Sequence, residues 1–143
     1  MTIENTGTIN ATTANPAINT MMNQNSNQVF SFPNLGIPSG SQIYGVQVQI
    51  AFSDHVVSDH AKIYCYFTAG SNSATENYQC VGSETGHAFG SSVDLWGLSP
   101  TYAQMNGATV TVYFNTPSGD DQVQFSALSI QVWFERKGFF FVL

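Results

Sequence analysis

The chain has 143 residues, nine acidic and three basic, for a net charge of −6. So few cations leave no footprint for a phosphate backbone and disfavour an anionic membrane surface, so neither nucleic acid nor membrane is an expected partner. Charged residues are only 8% of the chain, against about 25% in ordinary soluble domains. The 43% hydrophobic content nevertheless excludes a disordered polymer and suffices for one domain's core.

Residues 1–28 are rich in Asn and Thr, with scattered Ile3, Ile9, Ile18, Met21 and Met22. They show no sustained helical or strand period and are set apart as an extended N-terminal arm, in which short strand pairing stays open. The first residues lack the basic and apolar regions of a secretory signal, so synthesis in a cytoplasm is expected. A short strand at 29–32 is interrupted by Pro33, and 36–41 reads as a turn. Tyr44, Val46, Val48, Ile50 and Phe52 then alternate with Gly45, Gln47, Gln49 and Ala51, the period of a half-buried strand. The loop after it carries Asp54, His55, Asp59 and His60. Those are metal-ligand types, but their spacing matches no ligand pattern, so a polar loop without metal is expected.

The next strand, 61–68, directs Ala61, Ile63, Cys65 and Phe67 inward and Lys62, Tyr64 and Tyr66 outward. A turn at 69–72, a strand at 78–81 and a weaker one at 87–89 follow. Cys65 and Cys80 could face each other across strands; reduced, buried thiols are favoured over a disulfide. Cys65 on an inward face is a poor nucleophile. No Ser-nucleophile or phosphate-loop motif occurs, so no enzyme, no catalytic residue and no cofactor is expected.

The run DLWG at 94–97 precedes a short helix near 99–106, with Ser99 as cap, Pro100 in the first position and Asn106-Gly107 as the stop. Leu95, Trp96, Tyr102 and Met105 are expected to plug one open end of the fold; a sugar-stacking Trp96 is the competing reading. Strand 108–115 has Ala108, Val110, Val112 and Phe114 on one face. Asp120-Asp121 marks a hairpin tip. The last strand begins near Gln122 with Val123, Phe125 and Ala127 inward, then changes phase to Leu128, Ile130, Val132 and Phe134. A β-bulge between Ala127 and Leu128 restores one buried face. These elements predict an all-β, antiparallel, jelly-roll-like β-sandwich over 29–136, with extended termini: the arm at 1–28 and an apolar C-terminal tail at 137–143.

The order of these features resembles a jelly-roll-like β-sandwich domain of tailed-bacteriophage virion proteins. The resemblance rests on Asn15-Pro16, on GIPSGSQIYGVQVQI at 36–50, on the DLWG turn, on the helix ending at Asn106, and on two alternating strands of which the last ends in aromatics. It covers about residues 14–136 of the chain. It departs from the family in lacking a Trp shortly before the Asn-Pro, and in the tail Phe139, Phe140, Phe141, Val142 and Leu143. What the resemblance implies is a virion component, a capsid decoration or cement protein on the outer capsid surface, assembled in the host cytoplasm. By analogy it is a homotrimer with the major capsid protein as partner. The alternative is a tail-tip or fibre module that binds a host surface glycan.

Outward aromatics point towards the same kind of role. Tyr64, Tyr66, Tyr113 and Trp133 lie opposite the expected core, and such side chains are enriched at protein interfaces. With the five tail residues 139–143 they form the candidate interface of a homo-oligomer. Glycan binding is the second explanation, and cross-strand stacking without a partner the third.

Overall fold

The computed structural model describes residues 2–12, 21–23, 26–32, 34–56, 62–79, 86–115 and 122–139, with side chains over 27–32, 34–51, 62–79, 86–115 and 127–136. Two antiparallel sheets face each other. Sheet A has the order β1 (Thr2–Thr12), β9 (Gln122–Phe139), β4 (Ser41–Val56), β7 (Gly86–Ser91), and β2 (Met21–Asn23) pairs with the start of β9. Sheet B has the order β3 (Ser26–Ser31), β8 (Thr109–Asn115), β5 (Lys62–Ala69), β6 (Asn72–Gln79). From β2 onwards each connection crosses between the sheets, except the β5–β6 hairpin. With β1 and β2 sharing one edge of β9, this is the eight-position jelly roll, and the all-β sandwich read from the sequence is the fold.

Alternation builds the core. In β5, Ile63, Cys65, Phe67 and Ala69 are buried, and in β8 Val110, Val112 and Phe114. Sheet A answers with Val46, Val48 and Ile50 from β4, Phe89 from β7, and Leu128, Ile130, Val132 and Phe134 from β9. One end is closed by Phe32, Leu35, Ile37, Trp96 and Met105, with Leu95 and Tyr102 packed against them. The expected plug is therefore the observed one.

Several boundaries differ from expectation. The segment 1–28 holds paired strands: Thr2 to Thr12 run antiparallel to β9 from Phe139 to Ser129. An edge strand needs backbone pairing more than apolar alternation, so β-branched Thr serves without leaving a core pattern. For the same reason the polar run NSATENYQ forms β6, where only a strand at 78–81 was expected; Gly70, at φ +65°, opens the tight hairpin before it. The bulge of β9 falls at Ser126: Ala127 and Leu128 pair regularly with Ala51 and Ile50, and the register slips before Phe125 meets Phe52. A second residue, Tyr44, is extra on β4 between the pairs Ile43–Phe134 and Gly45–Trp133. It therefore leaves the inward face assigned to it, and Ile43 is buried instead.

The helix is Tyr102–Met105, two residues later than Ser99 and Pro100 suggested. Thr101 is the cap, and Gln104 returns the bond to the Thr101 N–H, a capping box that outcompetes the Ser-Pro start. The helix does not stop on a left-handed glycine, since Asn106 at the C-cap is right-handed. The Asn106 side chain instead closes two hydrogen bonds on Ile37, accepting from its N–H at 2.9 Å and donating to its C=O at 3.1 Å. That clamp ties the helix to the 34–38 loop.

Candidate functional site

The DLWG run shows how local chemistry anchors the closed end. Leu98 N–H donates to Leu95 C=O at 2.9 Å, with Trp96 at φ 58° and Gly97 at φ 73° between them, a tight turn with two left-handed residues. Trp96 is the only non-glycine residue with positive φ among the described residues, a conformation costing about 1–2 kcal/mol. Its compensations are burial, a 2.7 Å bond from its N–H to Asp94 Oδ1, and donation from Nε1 to Val46 C=O at 3.0 Å. The ring also packs on Phe67, 5.6 Å between centroids. A ring so enclosed is not free to stack on a sugar. Gly90 lies beneath it: a Cβ there would sit 2.2 Å from Val46 O and 2.5 Å from Trp96 Nε1.

Where the two sheet edges β6 and β7 approach, the joint is polar. Glu76 occupies an inward position between Ala74 and Tyr78, and its Oε2 accepts from the Gly90 N–H at 3.0 Å. Its carboxyl group also hydrogen-bonds to that of Asp94. Partial burial, then the bond and the charge of Asp94, push the Glu76 carboxyl above its ordinary range, against the opposing pull of the Gly90 N–H. Beside this pair the Tyr78 ring stacks on His87 at 3.7 Å, and His87 meets Phe89 edge-on. The sequence signal for this joint was an acid at an inward position of a strand that had not been recognised. Cys65 is buried with a free thiol; burial first, and the nearby Glu76 second, hold that thiol well above its usual range, which removes it as a nucleophile.

The outer face of sheet B presents an extended array of polar and aromatic side chains. Register places its residues in three rows across β3, β8, β5 and β6: Asn27, Tyr113, Tyr64, Asn77; Val29, Thr111, Tyr66, Thr75; and Ser31, Thr109, Thr68, Ser73. None is charged; Lys62 stands one row beyond Tyr64. The Tyr64 and Tyr113 rings are 6.0 Å apart and tilted by 52°. A groove of about 410 Å³ crosses this face, lined by Asn27, Tyr66, Thr68, Ser73, Thr111 and Tyr113.

The expected interface residues separate accordingly. Tyr64, Tyr66 and Tyr113 share the sheet B face, all half-buried. Trp133 is on the opposite, outer face of sheet A, paired with Gly45 and Thr8. On that same face Tyr44 donates its hydroxyl to Glu135, which is itself only 8% exposed. Phe139 ends β9, while Phe140, Phe141, Val142 and Leu143 lie outside the described residues, as do Cys80, Asp59, His60 and the side chains of Asp54 and His55. The hydroxyl and amide residues of the groove were not singled out from the sequence. They become visible only once the registers of β3 and β6 are known.

No family model matches the chain, and no curated protein sequence does. Among solved structures, a chain from tomato aspermy virus, determined by X-ray crystallography, is similar at 12% identity and a TM-score of 0.43, covering 98% of this chain and 81% of that one. So weak a likeness fixes neither the detailed fold nor the role of this protein.

Proposed function

We propose that this protein is a non-enzymatic structural component of a tailed-phage virion, a capsid decoration or cement protein on the outer shell. The observation that carries the reading is the uncharged lattice of sheet B. Three rows of Tyr, Thr, Ser, Asn and Val carry no ionic group, with Lys62 standing at their border. Charge normally keeps such surfaces apart, and its absence favours contact with a neighbouring subunit. The motifs behind the phage resemblance support it as well, because they are structural: the DLWG turn locks a loop on β4, and the helix-ending Asn106 clamps Ile37. Jelly rolls recur in viral capsids, a fold-level analogy only.

In this reading the subunits form a homotrimer and bind the major capsid protein, with residues 139–143 as a further apolar contact. Each contact made only in the assembled shell stabilises that shell by mass action. Labelling intact particles with an antibody to this chain tests the role, with label expected across the head. Label confined to the tail would replace the cement role with a tail one. Light scattering of the isolated protein is expected to report a trimer, and a monomer throughout the micromolar range would remove the oligomer from the reading.

A further inference from the structure

We propose that the groove on the outer face of sheet B is a binding site for a neutral oligosaccharide. This goes beyond the structural role and is the alternative to subunit contact at this one face: a trimer seated elsewhere on the molecule leaves both readings intact, and a subunit seated over the groove excludes the sugar. A pyranose offers two surfaces at once: a face of C–H bonds that packs on an aromatic ring, and a rim of hydroxyls that must exchange hydrogen bonds with water for bonds with protein. The groove supplies both. Tyr66 and Tyr113 sit on neighbouring strands, one residue pair apart along the face, so that both rings border the same depression. Asn27, Thr68, Ser73 and Thr111 complete its lining with one amide and three hydroxyls. Thr68 donates to Ser73 at 3.0 Å, which leaves the Ser73 hydroxyl proton and further lone pairs for a ligand.

The ligand class follows from what the lining omits. No cation lines the groove, the nearest on this face being Lys62 one row beyond Tyr64, and the chain's net charge of −6 disfavours a sugar carboxylate or sulfate. An apolar peptide would strand the amide and hydroxyl groups. The groove, about 410 Å³, is open to solvent, so a ligand would lie along the sheet face and not be enclosed by it. Neither Trp133, on the other sheet, nor the enclosed Trp96 belongs to the site.

The test is a backbone-amide NMR titration of the full chain with neutral tetrasaccharides (gluco-, manno- and galacto-configured) at millimolar concentration, beside an acidic oligogalacturonate. The expected result is that at least one neutral sugar shifts the amides of Asn27, Thr111 and Tyr113, and that the acidic sugar does not. Tyr66→Ala and Tyr113→Ala should each weaken binding by at least about fivefold. Thr111→Val, which keeps the β-branched shape, checks the site without threatening the strand. Absence of shifts with every neutral sugar overturns the proposal. So does binding that survives both tyrosine changes, or equal binding of the acidic sugar. If the face broadens with protein concentration alone and no sugar competes, a second copy of the chain occupies it and the proposal fails.

Discussion

Sheets A and B draw on similar residues but are built by different rules. The described pairings of sheet B run without a register shift, so inward and outward positions alternate cleanly from β3 to β6. Sheet A has three shifts between β4 and β9 alone, and its outer face is broken by the displaced Tyr44 and by the loop that Trp96 holds down. The difference teaches where each sheet takes its specificity. Sheet B is specified by the period of its side chains, because a one-residue slip would turn Phe67 and Phe114 to water. Sheet A is specified by individual polar and glycine contacts that accommodate its bulges. The regular sheet is therefore the one able to present an ordered lattice outwards, and the irregular one carries the closure of the sandwich.

The same contrast decides what was legible beforehand. The buried positions Ile63, Cys65 and Phe67 of β5, Val110, Val112 and Phe114 of β8, and Leu128, Ile130, Val132 and Phe134 of β9 follow the expected period, because apolar periodicity is a local signal; Ala69, expected in a turn, is instead the last buried residue of β5, and Ala61 lies outside the described residues. The bulge was detectable as a phase change, yet placed one residue too late, since composition alone does not say which residue of the two is unpaired. Strands β1 and β6 were missed or misplaced because edge strands follow backbone pairing and carry polar side chains. The candidate groove inherits that gap. Its tyrosines were picked out individually, but Asn27 and Ser73 enter through the registers of β3 and β6.

Substitutions can break this contrast. The largest effect is expected in the periodic sheet. Phe114→Ala empties a fully buried site of β8 and should cost about 3–5 kcal/mol, measured by denaturant unfolding. A loss under about 1 kcal/mol would mean that the sheet B core collapses easily around the gap. Gly90→Ala probes the contact-specified sheet. It introduces a Cβ into the backbone of Val46 at a residue with φ +77°, so at least about 2 kcal/mol should be lost, with Trp96 fluorescence changed as the ring is displaced. Unchanged fluorescence would show that the turn is not seated on Gly90. Asn106→Ala removes both bonds to Ile37 and should cost about 1–3 kcal/mol. An additive result with Gly90→Ala is expected if the two clamps close the end independently, and a double-mutant cycle measures it.

The smallest effect concerns the joint between the sheets and is a matter of pH. Glu76 has its folded pKa raised, so the folded state holds its proton more tightly than the unfolded chain does. The linkage sign follows directly: this stabilisation is fully present below the ordinary glutamate pKa and is lost as pH rises through the raised folded value. Above that value two carboxylates, Glu76 and Asp94, face each other across the meeting edges of β6 and β7. Facing them are the Gly90 N–H from β7, the Cys65 thiol from β5, and Tyr78 and His87 in their stack. Glu76→Gln keeps an oxygen for the Gly90 N–H and offers Asp94 a permanent N–H donor. The variant should therefore be more stable than the native chain above the window by roughly 1 kcal/mol, or about 2–4 °C in Tm. The advantage should vanish at acid pH, where the native pair already shares a proton. Comparing variant and native chain at each pH removes the contribution of the other titratable groups. A Tm difference that stays constant across the titration would show that Glu76 carries no proton in the fold, and that the sheets are joined there by the aromatic stack instead.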